Sequence, residues 1–84
     1  MKLKDVIISE ANGEKIAVSV GGSFNGMLKL NDTAAFIAEL LQQETTVEEA
    51  AKKLCEVYET DMETAIKSIE SVAEQFRKVG LIEE

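Results

Sequence analysis

Two hydrophobic periods divide the chain. Up to Leu30 apolar residues tend to recur at every second position, and from Asn31 onward they recur at helical spacing. Val6-Ile7-Ile8 is a β-branched run of strand character. Residues 14–20 alternate, with Ile16, Val18 and Val20 on one face and Lys15, Ala17 and Ser19 on the other. Between these runs Asn12-Gly13 supplies two residues that tolerate positive φ, which predicts a tight hairpin. Gly21-Gly22-Ser23 reads as a flexible connection or a bulge, and a third run follows it. There Phe24, Leu28 and Leu30 share one side, with Met27 and Lys29 on the opposite side. The pattern predicts three short antiparallel strands with one buried face.

The helical half carries its own start and stop signals. Asn31, Asp32 and Thr33 each suit an N-cap, ahead of a stripe of Phe36, Ile37, Leu40 and Leu41. Thr46-Val47-Glu48-Glu49 is a capping box, in which the Thr46 hydroxyl accepts from the Glu49 N–H and the Glu49 carboxylate reaches back. The second helix then buries Val47, Ala50, Ala51, Leu54 and either Val57 or Tyr58. Thr60-Asp61-Met62-Glu63 repeats the start signal for a third helix, whose apolar positions are Met62, Ala65, Ile66, Ile69, Val72, Ala73, Phe76 and Val79. Gly80 suits the C-terminal cap, Arg77 and Lys78 complement the helix dipole, and Leu81 and Ile82 fold back onto the core.

The expected order is therefore βββααα, an α+β fold in one domain over residues 1–84. Residues 1–30 form its sheet portion and residues 31–84 its helical portion. The chain has no proline. Helices cover one sheet face, and neither edge of the sheet is blocked by proline or by runs of charge. The stripe on the third helix is wide enough that one margin could line a groove, with Ile69, Val72, Ala73 and Phe76 as the groove candidates.

Charge and composition narrow the function. Sixteen Asp+Glu face nine Lys+Arg, a net charge of −7 with pI near 4.6. Most of the excess falls in residues 43–84, where i,i+4 pairs such as Glu48–Lys52 and Glu49–Lys53 fit a solvated face. A sharper reading makes this acidity a docking surface for a basic patch on a partner enzyme. The alternative reading is a winged-helix protein-interaction or DNA-binding regulator. However, Lys67, Arg77 and Lys78 of the third helix are outnumbered by Asp61, Glu63, Glu70 and Glu74, which repel phosphates. No nucleic-acid partner is expected.

Histidine is absent and Cys55 is the sole cysteine. Histidine general-base catalysis, Cys/His zinc sites and an intrachain disulfide are thereby excluded. Cys55 reads as a small hydrophobe beside Leu54. No helix or Gly-Lys-Ser/Thr follows Gly21-Gly22-Ser23, so phosphate binding is rejected. The expectation is no catalytic residue, no cofactor, no metal and no enzymatic activity. No apolar run approaches the ~20 residues of a membrane span and no secretory signal is recognised, so a cytoplasmic protein without a membrane partner is expected.

The segment Phe24-Asn25-Gly26-Met27-Leu28-Lys29-Leu30-Asn31-Asp32-Thr33, continued through Ala34 to Leu41, carries a family resemblance. With the later capping box and the terminal Lys78-Val79-Gly80-Leu81-Ile82, it resembles the D protein of pyrroloquinoline quinone biosynthesis. More broadly, it resembles the recognition elements for ribosomally made, post-translationally modified peptides. It departs from that pattern at Ala38, where an aromatic residue is usual, and near Gln43, where glycine is. The resemblance implies a winged helix-turn-helix-like fold that acts as a peptide chaperone. The leader of a precursor peptide would add as a strand beside Gly26, Met27, Leu28, Lys29 and Leu30, in a groove closed by the third helix. The implied partners are that leader and a modifying enzyme, often a radical S-adenosylmethionine enzyme. A monomer suits an adaptor, although an open edge also permits a strand-exchanged dimer.

Overall fold

The computed structural model describes residues 1–20 and 27–83. Its elements are β1 (Lys2–Leu3), β2 (Val6–Ala11), β3 (Glu14–Ser19), β4 (Met27–Leu30), α1 (Asp32–Leu40), α2 (Val47–Val57), α3 (Met62–Lys78) and β5 (Ile82–Glu83). Strands β2, β3 and β4 form an antiparallel sheet in that order, and the three helices follow it. The expected α+β arrangement is thus present. A two-residue pairing of β1 with β5, which no periodicity could announce, ties the chain ends together.

The β2–β3 hairpin closes where its sequence requires. The ladder runs out to Ala11↔Glu14, so Asn12 and Gly13 alone make the loop, at φ 53° and 79°. Both loop residues at positive φ give the turn a twist that matches the strands. The other left-handed non-glycine residue described is Asp5, φ 55°, at the corner between β1 and β2, where its carbonyl accepts from the Val20 N–H at 2.9 Å.

The buried face of the sheet is the reverse of the one the alternation in β3 suggests. Ile8, Ala17 and Leu28 lie opposite one another across the three strands, as do Ile7, Val18 and Met27. The first row, with Val6 and Leu30, faces the helices, and Ala17 is buried. Ile16 and Val18 therefore share the outer face with Met27 and Lys29. The physical reason is the closeness of α1, which touches all three strands. Its own buried residues include Ala35 and Ala38, and the sheet answers with another alanine, Ala17. Small side chains let a helix lie close to a sheet, so the site of deepest burial on β3 takes the smallest apolar residue. Ile7 (52% exposed) and Met27 (59%) remain open to solvent on the outer face. Phe24 lies outside the described residues.

The helices start and stop on identifiable caps. Asn31 accepts from the Ala34 N–H at 2.7 Å and opens α1. Thr46 accepts from the Glu49 N–H at 3.1 Å, the first half of the predicted capping box on α2, and the Glu49 carboxylate reaches back to the Thr46 hydroxyl, which donates to Oε1 at 3.2 Å. For α3 the cap is Asp61 rather than Thr60, with the Thr64 N–H donating to its carboxylate at 2.8 Å. Gly80, φ 74°, ends α3 in a Schellman arrangement: the Leu81 N–H donates to the Phe76 carbonyl and the Gly80 N–H to the Arg77 carbonyl. Leu81 is thereby turned back into the core.

Phe76, Ile37, Leu41, Leu54 and Ile69 are the largest fully buried side chains. At the end of α2 it is Tyr58 that packs inward, edge-on to Phe36 with ring centroids 5.6 Å apart, whereas Val57 is 60% exposed. Glu63–Lys67 forms an i,i+4 ion pair at 3.5 Å, whereas Glu49 is engaged by Thr46. Cys55 is half-buried, its thiol 3.8 Å from the Met62 sulfur. No helix among the described residues is long and apolar enough to cross a membrane.

Candidate functional site

β4 pairs with β3 along one side, and among the described residues no strand pairs with its other side. In an antiparallel ladder alternate residues address their N–H and C=O groups to the neighbouring strand. The remaining groups of β4 point to the free edge, which is a template for a further strand. The register is set by the pairs Val18↔Met27, Ala17↔Leu28, Ile16↔Lys29 and Lys15↔Leu30. Leu30 is buried and Leu28 half-buried, so the strand is anchored from beneath while Met27 and Lys29 stand on the outer face.

Beside the end of β4 lies a cleft of about 490 Å³ between α1 and α3. Asn31, Thr33, Ala34 and Ile37 line it from the α1 side. From α3 come Thr64, Lys67, Ser68, Ser71, Val72 and Gln75. Steps of three, one and four place all six on one helical face, beside the core stripe of Ala65, Ile69 and Phe76. Apart from Lys67 and Gln75 these side chains are short. A wall of serine and threonine admits the backbone of an extended chain at close range and offers hydroxyls that both donate and accept.

The two flanks of α3 differ in charge. Among the described residues lining the α1-side cleft, Lys67 is the one charged side chain. The opposite flank borders a second cleft with Thr46 and Val47 at the start of α2, lined from α3 by Glu70, Ala73, Glu74 and Arg77. There Arg77 pairs with Glu74 at 2.7 Å. At the N-terminus of α3 the hydrogen bond from the Thr64 N–H holds the Asp61 carboxyl below its ordinary value, with a smaller contribution from the Lys67 charge.

Residues 7–82 match the family described as coenzyme PQQ synthesis protein D (PqqD). The chain belongs to the PqqD family. No curated protein sequence matches it. Among solved structures it is similar to TbiB1 in complex with the TbiA(β) leader peptide, with a TM-score of 0.78 and 19% sequence identity. That likeness covers 99% of this chain and 95% of the other, so the two share a fold along nearly their full lengths.

In this PqqD-family chain the residues expected from sequence to form the site fall in different places. Met27, Leu28, Lys29 and Leu30 make up β4 itself, while Gly26 lies outside the described residues. Of the four groove candidates on α3, Val72 borders the cleft beside β4. Ala73 turns to the opposite cleft. Ile69 and Phe76 are fully buried in the core and present no surface. The sequence reading passed over Thr64, Lys67, Ser68, Ser71 and Gln75, the residues that furnish the cleft wall. Their signal is the recurrence of small hydroxyl side chains at 64, 68 and 71, on a helix whose other exposed positions are largely charged.

Proposed function

We propose that this PqqD-family protein is a non-catalytic adaptor for the leader of a ribosomally made precursor peptide. The leader adds as a strand along β4 and is presented to a modifying enzyme of the radical S-adenosylmethionine class. The observation that carries this reading is the coincidence of a strand edge left unpaired among the described residues with a cleft that opens at its end. The shared fold with TbiB1, a protein captured with a leader peptide, supports it. The reading takes the protein as cytoplasmic and monomeric.

The energetics show what the cleft must add. Four residues of β4 leave roughly two with outward groups, hence about four hydrogen bonds of roughly 0.5–1.5 kcal/mol net each. The total, about 2–6 kcal/mol, falls short of the roughly 8 kcal/mol of micromolar binding, before any cost of association. For micromolar binding, side chains of the guest would need partners in the α1–α3 cleft, and in this reading those contacts set which peptide is held.

The test is an amide-shift titration of the labelled protein with precursor leaders encoded in the same genome. The expected result is maximal perturbation of Met27–Leu30 and of Ser68, Ser71 and Val72. Perturbation centred on α2 overturns the assignment. Duplex binding that weakens steeply with salt would instead favour the DNA-binding alternative.

A further inference from the structure

Resting on the strand-addition reading, we infer that the guest is an acidic segment, with two carboxylates read by Lys67 and Lys29 from opposite faces of the extended sheet. Lys67 stands in the cleft wall on α3, on the helical side. Lys29 lies on β4, on the outer face with Ile16 as its cross-strand partner. In this proposal the guest strand, laid along the free edge of β4, takes the place between them. Its successive side chains point to alternate faces, so the residue meeting Lys67 and the residue meeting Lys29 are separated by an odd number of positions.

Both lysines already have carboxylate neighbours, and the geometry of those pairs decides the sign of the field at the edge. Lys67 is 3.5 Å from Glu63, and Lys29 is 3.8 Å from Glu14. All four side chains are more than half exposed, so neither pair holds its lysine strongly. Glu14 belongs to β3, on the far side of β4 from an added strand, which leaves Lys29 between that carboxylate and the guest. Glu63 lies outside the lining of the cleft, which Lys67 enters. A guest therefore meets the cation first at both places. The net charge of −7 opposes an acidic peptide at long range. At physiological ionic strength that repulsion is screened beyond about 8 Å, whereas a contact ion pair acts well inside that distance. Carboxylates elsewhere on the peptide are disfavoured, so the charge selects register as well as composition.

The experiment pans a random dodecapeptide phage library on the wild-type protein, on Lys67→Glu and on Lys29→Glu. Wild-type winners are expected to carry Asp or Glu at two positions an odd number of residues apart. Lys67→Glu should convert one of these to Lys or Arg, and Lys29→Glu the other. A synthesised winner should bind each variant up to about five-fold more weakly. If a reversed charge prevents folding, Lys67→Gln and Lys29→Gln serve instead, and the acidic preference at the matching position must vanish. Winners that lack acidic residues, or keep one motif on all three proteins, overturn the inference if they still shift the β4 amides. In that case strand addition survives. Winners that leave β4 unshifted, or a library that yields none, overturn strand addition and this inference together.

Discussion

Substituting proline along β4 tests strand addition at single-residue resolution. Leu28 and Lys29 are consecutive, so in an antiparallel ladder one directs its N–H to β3 and the other to the free edge. Proline removes that one donor. At the edge-directed position the loss falls on the guest, whose carbonyl is left without a partner, at about 1–3 kcal/mol. At about 1.4 kcal/mol per decade this corresponds to roughly five- to 150-fold weaker peptide binding, with little change in melting temperature. At the β3-directed position the same loss falls on the fold. A domain of this size then melts about 4–8 °C lower per kcal/mol, and the folded fraction binds peptide as before. The assay is calorimetric titration with a library-selected peptide beside a thermal melt, for Leu28→Pro and Lys29→Pro in parallel. Opposite phenotypes at the two neighbours are expected. Two folded variants with wild-type affinity refute the reasoning, because no backbone donor of β4 would then be serving the guest.

Four further outcomes follow from the geometry. Thr46→Ala removes the acceptor of the Glu49 N–H and should cost about 1 kcal/mol, seen as a melting temperature about 4–8 °C lower with peptide affinity unchanged. Phe76→Ala should cost about 3–5 kcal/mol in urea unfolding, against less than about 0.5 kcal/mol for the exposed Val57→Ala. Asp61 has a carboxyl pKa lowered by folding, so its stabilising contribution is present above the unfolded value and lost as pH falls through the folded one. Melting of the wild type should therefore fall more steeply below about pH 4 than melting of Asp61→Asn, whose cap does not titrate. Lys29→Val removes the charge from the open edge and should shift sedimentation toward a dimer as concentration rises, whereas a strictly monomeric variant would show that the edge is protected by other means.

The elements were legible where local chemistry alone decides them. Asn12-Gly13, the Thr46 capping box and Gly80 act within a few residues of themselves, and each behaves as its sequence reads. What failed needed a partner to be known. Alternation in β3 announced two faces but not which one lies under α1, and the helix chose Ala17 because it packs close. Thr60 and Asp61 are both good caps, and the start of α3 at Met62 selected Asp61. The wide stripe of α3 offered Ile69, Val72, Ala73 and Phe76 as groove candidates; the core buries Ile69 and Phe76 completely, while Val72 and Ala73 border clefts on opposite flanks. The cleft wall consists instead of hydroxyl residues that read as ordinary solvated positions until α1 stands opposite them.

An edge that accepts a strand, as proposed for β4, must avoid accepting every strand, and three features of this chain bear on that. β4 has four residues, so a second copy paired along it gains few hydrogen bonds. Lys29 places a charge within that short run, which opposes the pairing of two identical edges in register. The net charge of −7 adds repulsion between whole molecules at low ionic strength. The short edge and the net charge also weigh on an acidic peptide. In the proposed complex, however, a guest carboxylate offsets the Lys29 charge at contact range, and the α1–α3 cleft adds contacts that a copy of β4, embedded in its own sheet, does not make. If the proposed acidic guest binds there, specificity at this edge comes from the residue that guards it: the lysine that disfavours a copy of the chain is the one that would favour that guest.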